Sequence, residues 1–179
     1  MPRFAVLLRG INVGANQRVA MADLRQLLSG LGFTDVRTLL QSGNAVFDSG
    51  RTRPQLLARR IEGAIRDGFG LDVSCIVRSR EEIRAVVDAN PLGPVATDGS
   101  KLLVVFLSGS PDPERLAEHD PVGLAPDRIR RGDRVIYQWC PDGILAAPAV
   151  GGFAEKYLSV TTTGRNWNTV TKLLALLDR

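Results

Sequence analysis

The sequence has few of the residues that carry metal-dependent or nucleophilic chemistry. In a chain of 179 residues, histidine occurs once, at His119, and cysteine occurs twice, at Cys75 and Cys140. A single histidine excludes a two-histidine metal site, and the two distant cysteines form no CxxC pair. Catalysis of the Ser-His-Asp or Cys-His type would depend on His119, which lies between two acidic residues and is expected to be exposed. We therefore expect no metal and no cofactor.

The sequence also lacks long apolar runs. No run approaches the ~20 residues that a membrane helix needs, and Phe4–Leu8, between two arginines, is too short for the apolar core of a signal peptide. These absences predict a cytoplasmic protein with no membrane contact. Cys75 lies in an apolar alternation and is expected to be a buried, reduced thiol, whereas the environment of Cys140 stays open.

The positive charge is uneven along the chain. Arginine supplies 20 of the 23 basic residues, and residues 1–90 contain 13 arginines against nine acidic residues. Residues 91–179 contain ten basic and ten acidic residues. An anionic partner would therefore be steered towards the first half.

The first half has a regular order of strand and helix patterns. Its elements are a strand at Phe4–Arg9, a helix at Met21–Leu31, hairpin strands at Val36–Leu40 and Asn44–Phe47, a helix that Thr52 caps before Pro54, and an alternating strand at Leu71–Val77. The order βαββαβ predicts a ferredoxin-like fold in which the first and third strands are central antiparallel neighbours. Arg9 should then lie beside Asn44. The sheet face opposite the helices has small and aliphatic residues, which predicts a face covered by protein and not an aromatic platform for RNA bases.

The second half repeats most of this order. Ser79 and Glu82 form a capping-box pattern before a short helix. The elements that follow are a buried strand at Leu102–Leu107, a helix at Pro113–His119, hairpin strands at Ile129–Arg131 and Arg134–Trp139, a helical turn at Phe153–Leu158 and a closing helix at Asn166–Leu177. We expect an α+β protein whose ferredoxin-like subdomain, residues 1–78, packs with a degenerate ferredoxin-like subdomain, residues 79–179, as one compact unit.

Several segments together resemble a known family of bacterial proteins. They are Leu7–Gly14 (LLRGINVG), Met21–Leu24 (MADL), Leu31–Thr38 (LGFTDVRT), Gln41–Asn44 (QSGN), Asn90-Pro91 and Thr163–Thr169 (TGRNWNT). In this order they resemble the domain-of-unknown-function 1697 family over nearly the whole chain. The resemblance implies an α+β ferredoxin-like fold and no particular activity, substrate or cofactor. The chain departs from the family at Leu39-Leu40, where Tyr-Ile is usual, and at Ala15-Asn16, where Gly-Lys is common.

Two of these segments are candidate binding elements at one edge of the first sheet. In the RGIN loop (Arg9–Gly14), glycines let backbone N–H groups approach an anion, and Arg9 supplies a forked donor. The structural alternative is a turn in which Asn12 bonds backbone. In the QSGN turn (Gln41–Asn44), Gln41, Ser42 and Asn44 could present amides and a hydroxyl to a ligand, although Ser, Gly and Asn also suit a tight hairpin.

The third candidate is the RNWN segment (Arg165–Asn168), which opens the last predicted helix. Arg165 and the free N–H groups of a helix start could hold an anion. The structural alternative is that Asn166 or Asn168 caps the helix. We expect this segment to join the first two.

Three functional hypotheses follow. The first is binding of a small anionic or phosphate-bearing ligand, with Arg9 and Arg165 taking the charge and Asn12, Gln41 and Asn44 orienting it. The second is salt-dependent nucleic-acid binding through the basic first half. The third is an enzyme of unassigned reaction, since no carboxylate pair or nucleophile motif is evident. The sequence leaves the oligomeric state open.

Overall fold

The computed structural model describes residues 1–15, 17–51 and 53–179, which form two compact units. The first unit is Met1–Arg84 with Leu173–Arg179, and the second is Ala85–Lys172. Within these ranges, none of the helices has the length and apolar character that crossing a bilayer requires. Thr52, the predicted cap of the second helix, lies outside the described residues.

The first unit has the predicted element order. Its elements are β1 (Arg3–Leu8), α1 (Met21–Gly30), β2 (Thr34–Leu39), β3 (Asn44–Asp48), α2 (Pro54–Phe69), β4 (Cys75–Ser79) and the start of α3 (Arg80–Asp88). The sheet order is β2-β3-β1-β4, with antiparallel neighbours throughout. This is the ferredoxin-like order, with β1 and β3 in the centre.

Both faces of the first sheet are buried. Phe4, Val6 and Leu8 point into the core that contains the buried residues of α1 and α2. Ala5 and Leu7 alternate with them on the opposite face, and both are fully buried. The expectation of a covered second face is confirmed, so this sheet offers no open platform for stacking bases.

The second unit has a complete ferredoxin-like order. After the end of α3 its elements are β5 (Leu102–Leu107), α4 (Pro113–Glu118), β6 (Ile129–Gly132), β7 (Val135–Trp139), α5 (Val150–Leu158), β8 (Thr162–Asn166) and the start of α6 (Trp167–Leu177), with 3₁₀ turns at Pro121–Leu124 and Ile144–Ala146. The sheet order is β6-β7-β5-β8. It corresponds strand for strand to the first sheet.

Three of the predicted element bounds are wrong, and one of them is that of helix α5, which begins at Val150 and not at Phe153. The fourth strand begins at Cys75 and not at Leu71. The closing helix begins at Trp167, because Thr162–Asn166 form β8 and pair with β5. The sequence of β8 shows no alternation of apolar and polar residues, because two threonines, a glycine and an arginine make up most of it.

The two units also agree in the hydrogen bonds at the ends of their central strands. Leu8 ends β1, and its N–H donates to the carbonyl oxygen of Gly43 at 2.8 Å. Leu107 ends β5, and its N–H donates to the carbonyl oxygen of Arg134 at 2.9 Å. Leu8 and Leu107, like Gly43 and Arg134, are therefore equivalent positions of a structural duplication.

The equivalence extends to the joins between the fourth strands and the helices after them. Arg78 in β4 and Arg165 in β8 are both buried and pair with the central strand of their own sheet. The next residue caps the helix in each case: Ser79 Oγ accepts the Glu82 N–H at 3.1 Å, and Asn166 plays this role for α6. The Ser79–Glu82 capping box is confirmed, since Glu82 Oε2 also accepts the Ser79 N–H at 2.8 Å.

Candidate functional site

The RGIN loop and the QSGN turn lie side by side at one edge of the first sheet. Leu7 and Asn44 are opposite each other in the β1–β3 ladder. Beyond this pair, β1 continues into the RGIN loop and β3 is preceded by the QSGN turn. The antiparallel arrangement of the central strands therefore brings the two polar segments together, as their order predicts.

Asn12 joins the two segments through its side-chain amide. Its Nδ2 donates to the carbonyl oxygens of Gln41 at 2.7 Å and Val19 at 2.8 Å. Its Oδ1 accepts the Val19 N–H at 2.9 Å. The backbone of Asn12 is left-handed, with φ at 55°, a conformation that asparagine tolerates better than most residues. Because both amide donors are used, Asn12 positions the segments rather than presenting itself to a ligand.

Gly43 is required where the turn meets the loop. Its φ is +89°, and a Cβ built there would lie 2.7 Å from Ile11 Cδ1 and 2.9 Å from Leu8 Cβ. A side chain at this position would therefore combine a strained backbone with a direct clash. The contact fixes the distance between the QSGN turn and the buried Ile11 of the RGIN loop.

Asn44 also has a structural role. It is fully buried, and its Nδ2 donates to the Leu39 carbonyl oxygen and to Ser42 Oγ, both at 2.9 Å. These bonds close the turn that spans residues 40–43. Asn44 therefore stabilises the turn from a buried position, and its side chain is not accessible to a ligand.

Three of the predicted site residues in the first unit are exposed: Arg9, Gln41 and Ser42. The backbone of Arg9 is held by its N–H, which donates to the Ser74 carbonyl oxygen at 2.9 Å. Ser42 Oγ accepts from Asn44, and within the described residues the Gln41 side-chain amide makes no hydrogen bond. The edge thus combines a guanidinium, an amide and a hydroxyl on a backbone that Asn12, Gly43 and Asn44 hold in place.

Arg165 lies in β8 and not in the first turn of the last helix. It is 8% exposed, and its Nη1 donates to Thr163 Oγ1 at 2.7 Å and to the Gly164 carbonyl oxygen at 2.8 Å. Burial lowers the pKa of its guanidinium to about 10, because the charged form loses solvation. Arg165 is thus a buried strand residue.

Asn166 caps α6, which was the structural alternative to an anion site in the RNWN segment. Its Oδ1 accepts the Thr169 N–H at 2.9 Å and the Thr169 hydroxyl at 3.0 Å. The cap uses the oxygen that a ligand's donor would need. That the RNWN segment joins the RGIN loop and the QSGN turn stays a prediction.

His119 was expected to be exposed but is less exposed than that. Its ring is half-buried and stacks on Tyr157, with the ring centroids 4.4 Å apart. In the described ranges, no three His, Cys, Asp or Glu side chains are grouped so that they could hold a metal ion. Cys75 and Cys140 are both buried free thiols, as expected for Cys75, and burial raises the pKa of each.

Sequence reasoning missed the burial of two residues in the first unit. Ile11 was treated as part of a polar loop, yet it is 2% exposed and belongs to the core of the first unit. Arg78 was not singled out, yet it is only 5% exposed. A usable signal for Arg78 was its place directly before a capping residue, which matches Arg165 before Asn166.

Comparisons with known proteins agree with the fold. A family model described as a protein of unknown function (DUF1697) matches residues 1–137, a range that contains the RGIN loop and the QSGN turn. A conserved bacterial protein from Streptococcus pneumoniae has a solved structure that is 24% identical in sequence, with a TM-score of 0.73 and 98% of each chain covered. At this identity the likeness concerns the fold alone. No curated protein sequence matches the chain.

Proposed function

Because the chain belongs to the DUF1697 family, whose description assigns no activity, we propose a function from the site itself: binding of a small anionic or phosphate-bearing ligand at the RGIN loop and the QSGN turn. The observation that carries the proposal is the Asn12 amide, which ties the Gln41 carbonyl oxygen to the RGIN loop at 2.7 Å. This bond connects the backbones of the two segments that carry the exposed side chains of Arg9 and Gln41.

The chemistry of these side chains suits an oxyanion. A guanidinium offers several N–H donors in a planar fork that matches two oxygens of a phosphate or carboxylate. The Gln41 amide can add a neutral donor and the Ser42 hydroxyl can donate or accept. A loop and a turn whose backbones are already connected lose less conformational freedom when a ligand binds, which favours affinity. In the proposed roles, Arg9 takes the charge and Gln41 and Ser42 orient the ligand, while Asn12 and Asn44 position them.

Thermal unfolding with a ligand panel tests the proposal. The panel contains inorganic phosphate, sugar phosphates, nucleotides, polyphosphate, short RNA and short DNA, each at low and physiological salt. A ligand that binds only the folded state stabilises it by about 2.7 kcal/mol at a hundredfold excess over its dissociation constant. We expect a small phosphate-bearing ligand to raise the midpoint at both salt concentrations.

Variants identify the place of binding. The Arg9→Ala variant should lose the ligand-induced shift, whereas Arg25→Ala, which removes another exposed arginine, from α1, should retain it. A shift that Arg9→Ala leaves intact would refute the proposed site. A shift with RNA or DNA alone, lost at physiological salt, would favour the nucleic-acid hypothesis instead. The absence of any shift across the panel would refute ligand binding of this class.

A further inference from the structure

The second unit contains a cavity at the end of its central strand β5. Its volume is about 40 Å³, and the lining residues come from the end of β5, the β6–β7 hairpin, α4, α5 and the connections beside them. Leu107, Leu116, Ile136 and Leu158 give it apolar walls, and Arg131 is the charged residue among its described lining residues. It is an apolar recess with one cation at its edge.

The equivalent corner of the first unit is filled by the chain itself. Leu8 corresponds to Leu107, and Gly43 corresponds to Arg134. Ile11 packs against Leu8 and Gly43, so closely that a Cβ on Gly43 would lie 2.7 Å from Ile11 Cδ1. The branched side chain of Ile11 therefore occupies, in the first unit, the corner that stays open in the second.

The lengths of the two connections explain the difference. The connection from β1 to α1 is long, and it places Ile11 and Val19 in the core of the first unit. The connection from β5 to α4 spans only Ser108–Asp112. The short helix α4 that follows has no buried residue. The second unit consequently has no segment that reaches into its corner, and the sheet and helices leave a void there.

We propose that this cavity binds the branched aliphatic end of a small carboxylate, whose charged end pairs with Arg131. The aliphatic end would take the place that Ile11 fills in the first unit. One water needs roughly 10–15 Å³ of such volume, so the cavity admits a short alkyl group and is too small for a sugar or a base. This site is independent of the edge formed by the RGIN loop and the QSGN turn.

The positive charge of Arg131 at the cavity supports the proposal that the ligand is a carboxylate. The side chain of Arg131 is 43% exposed, and its Nε lies 3.4 Å from Asp120 Oδ1, whose side chain is equally exposed. Exposed pairs of this kind contribute only about 0–1 kcal/mol. Asp120 Oδ1 also accepts the Val122 N–H at 3.0 Å, which holds the carboxylate at the start of the 3₁₀ turn. The Arg131 guanidinium retains N–H donors beyond Nε for a second carboxylate.

Methyl NMR spectra of the full chain test the proposal. The probe is 3-methylbutanoate, and the matched probe 3-methylbutylamine carries the same aliphatic end with a positive charge. We expect 3-methylbutanoate to give saturable shifts of the Leu107, Ile136 and Leu158 methyl signals. The amine should give weaker shifts at the same concentration, because it cannot form the ion pair with Arg131. Equal shifts with both probes, or no saturable shift with 3-methylbutanoate, would overturn the proposal.

Variants of the full chain locate the two ends of the ligand. Arg131→Gln should weaken binding of 3-methylbutanoate by about fivefold, the scale of one exposed ion pair. Arg128→Gln, which removes an exposed arginine beside the same hairpin, should leave it unchanged. Leu116→Phe should fill the cavity and abolish the shifts, with Val135→Ile, which adds one methyl group to another lining residue, as the smaller change if phenylalanine disturbs folding. Unchanged binding in the Arg131 variant, or in a folded cavity-filled variant, would contradict the assignment.

Discussion

The side-chain amide of Asn12 donates to the carbonyl oxygen of Gln41 at 2.7 Å and thereby connects two loops that are 29 residues apart in sequence. The same amide exchanges two hydrogen bonds with the backbone of Val19. A single side chain thus closes the RGIN loop on itself and fastens it to the QSGN turn. The stability and the shape of this edge should depend on Asn12 more than on any of its exposed residues.

The first prediction is that Asn12→Gly lowers the free energy of unfolding by about 2–3 kcal/mol, since three hydrogen bonds of about 1 kcal/mol each are lost. Glycine adopts the left-handed backbone of Asn12 without strain, so the loss reports the side chain and not the φ angle. Denaturant unfolding gives the measurement. Ser159→Gly is the control, because Ser159 has a φ of 54° and should be unaffected or slightly stabilised by glycine. A neutral Asn12→Gly variant would contradict the positioning role.

The second prediction compares two glycines with nearly the same backbone. Gly43 has a φ of +89° and a crowded Cβ position, whereas Gly32 has a φ of +88° and nothing within 4 Å of its Cβ position. Gly32→Ala should cost about 1–2 kcal/mol for the left-handed backbone alone. Gly43→Ala should cost about 1–3 kcal/mol more, because Ile11 and Leu8 must move. Equal losses in denaturant unfolding would show that the loop and the turn are not in tight contact.

The third prediction concerns Tyr137 and alkaline pH. Its hydroxyl donates to the Val86 carbonyl oxygen at 2.6 Å, and burial raises the pKa of Tyr137 to about 12. The stability that the neutral hydroxyl contributes is present below the unfolded-state pKa of about 10 and is lost as pH rises towards the folded-state pKa. Tyr137→Phe should cost about 1–2 kcal/mol at neutral pH by leaving a buried carbonyl oxygen without its donor.

The same variant should lose less stability between pH 10 and pH 12 than the unaltered protein. Unfolding of both proteins across this range isolates Tyr137, because other alkaline groups, the two cysteines included, are common to both. Parallel stability curves above pH 10 would refute the role of the Tyr137 hydroxyl.

The sequence predicted the fold best where side-chain patterns were local. The hairpin strands on either side of the QSGN turn and the Ser79–Glu82 capping box follow from residues that are close in sequence. Strand β8 was not predicted because its residues do not alternate between apolar and polar, and because Gly164 and Asn166 are poor strand formers; its pairing partner β5 is distant in sequence. Helix α5 was predicted too short, since its first turn contains Gly151 and Gly152, which are poor helix formers.

In the candidate site, the sequence likewise predicted the position of the segments but not the hydrogen bonds of individual side chains. The order of the strands was enough to place Arg9 near Asn44, but it could not reveal what each side chain bonds. Asn12 and Asn44 use their amides on the backbone, whereas Gln41 keeps its side chain at the surface. The difference depends on which backbone groups the folded loop and turn bring within reach, such as those of Val19 and Leu39, and a list of residue types cannot distinguish these roles.

The division of the chain into units has a consequence for its synthesis. The first unit needs Leu173–Arg179, where Arg84 Nη2 meets both Asp178 carboxylate oxygens at 2.6 Å, yet residues 85–172 are translated in between. At about 5–20 residues per second, the nascent first unit waits on the order of 10 s for this segment to leave the ribosome. Strand β8 completes the sheet of the second unit only shortly before Leu173 is made, so the two units obtain their final segments at nearly the same stage of translation. The first unit, although most of it is translated first, therefore cannot be completed before the second unit has been translated.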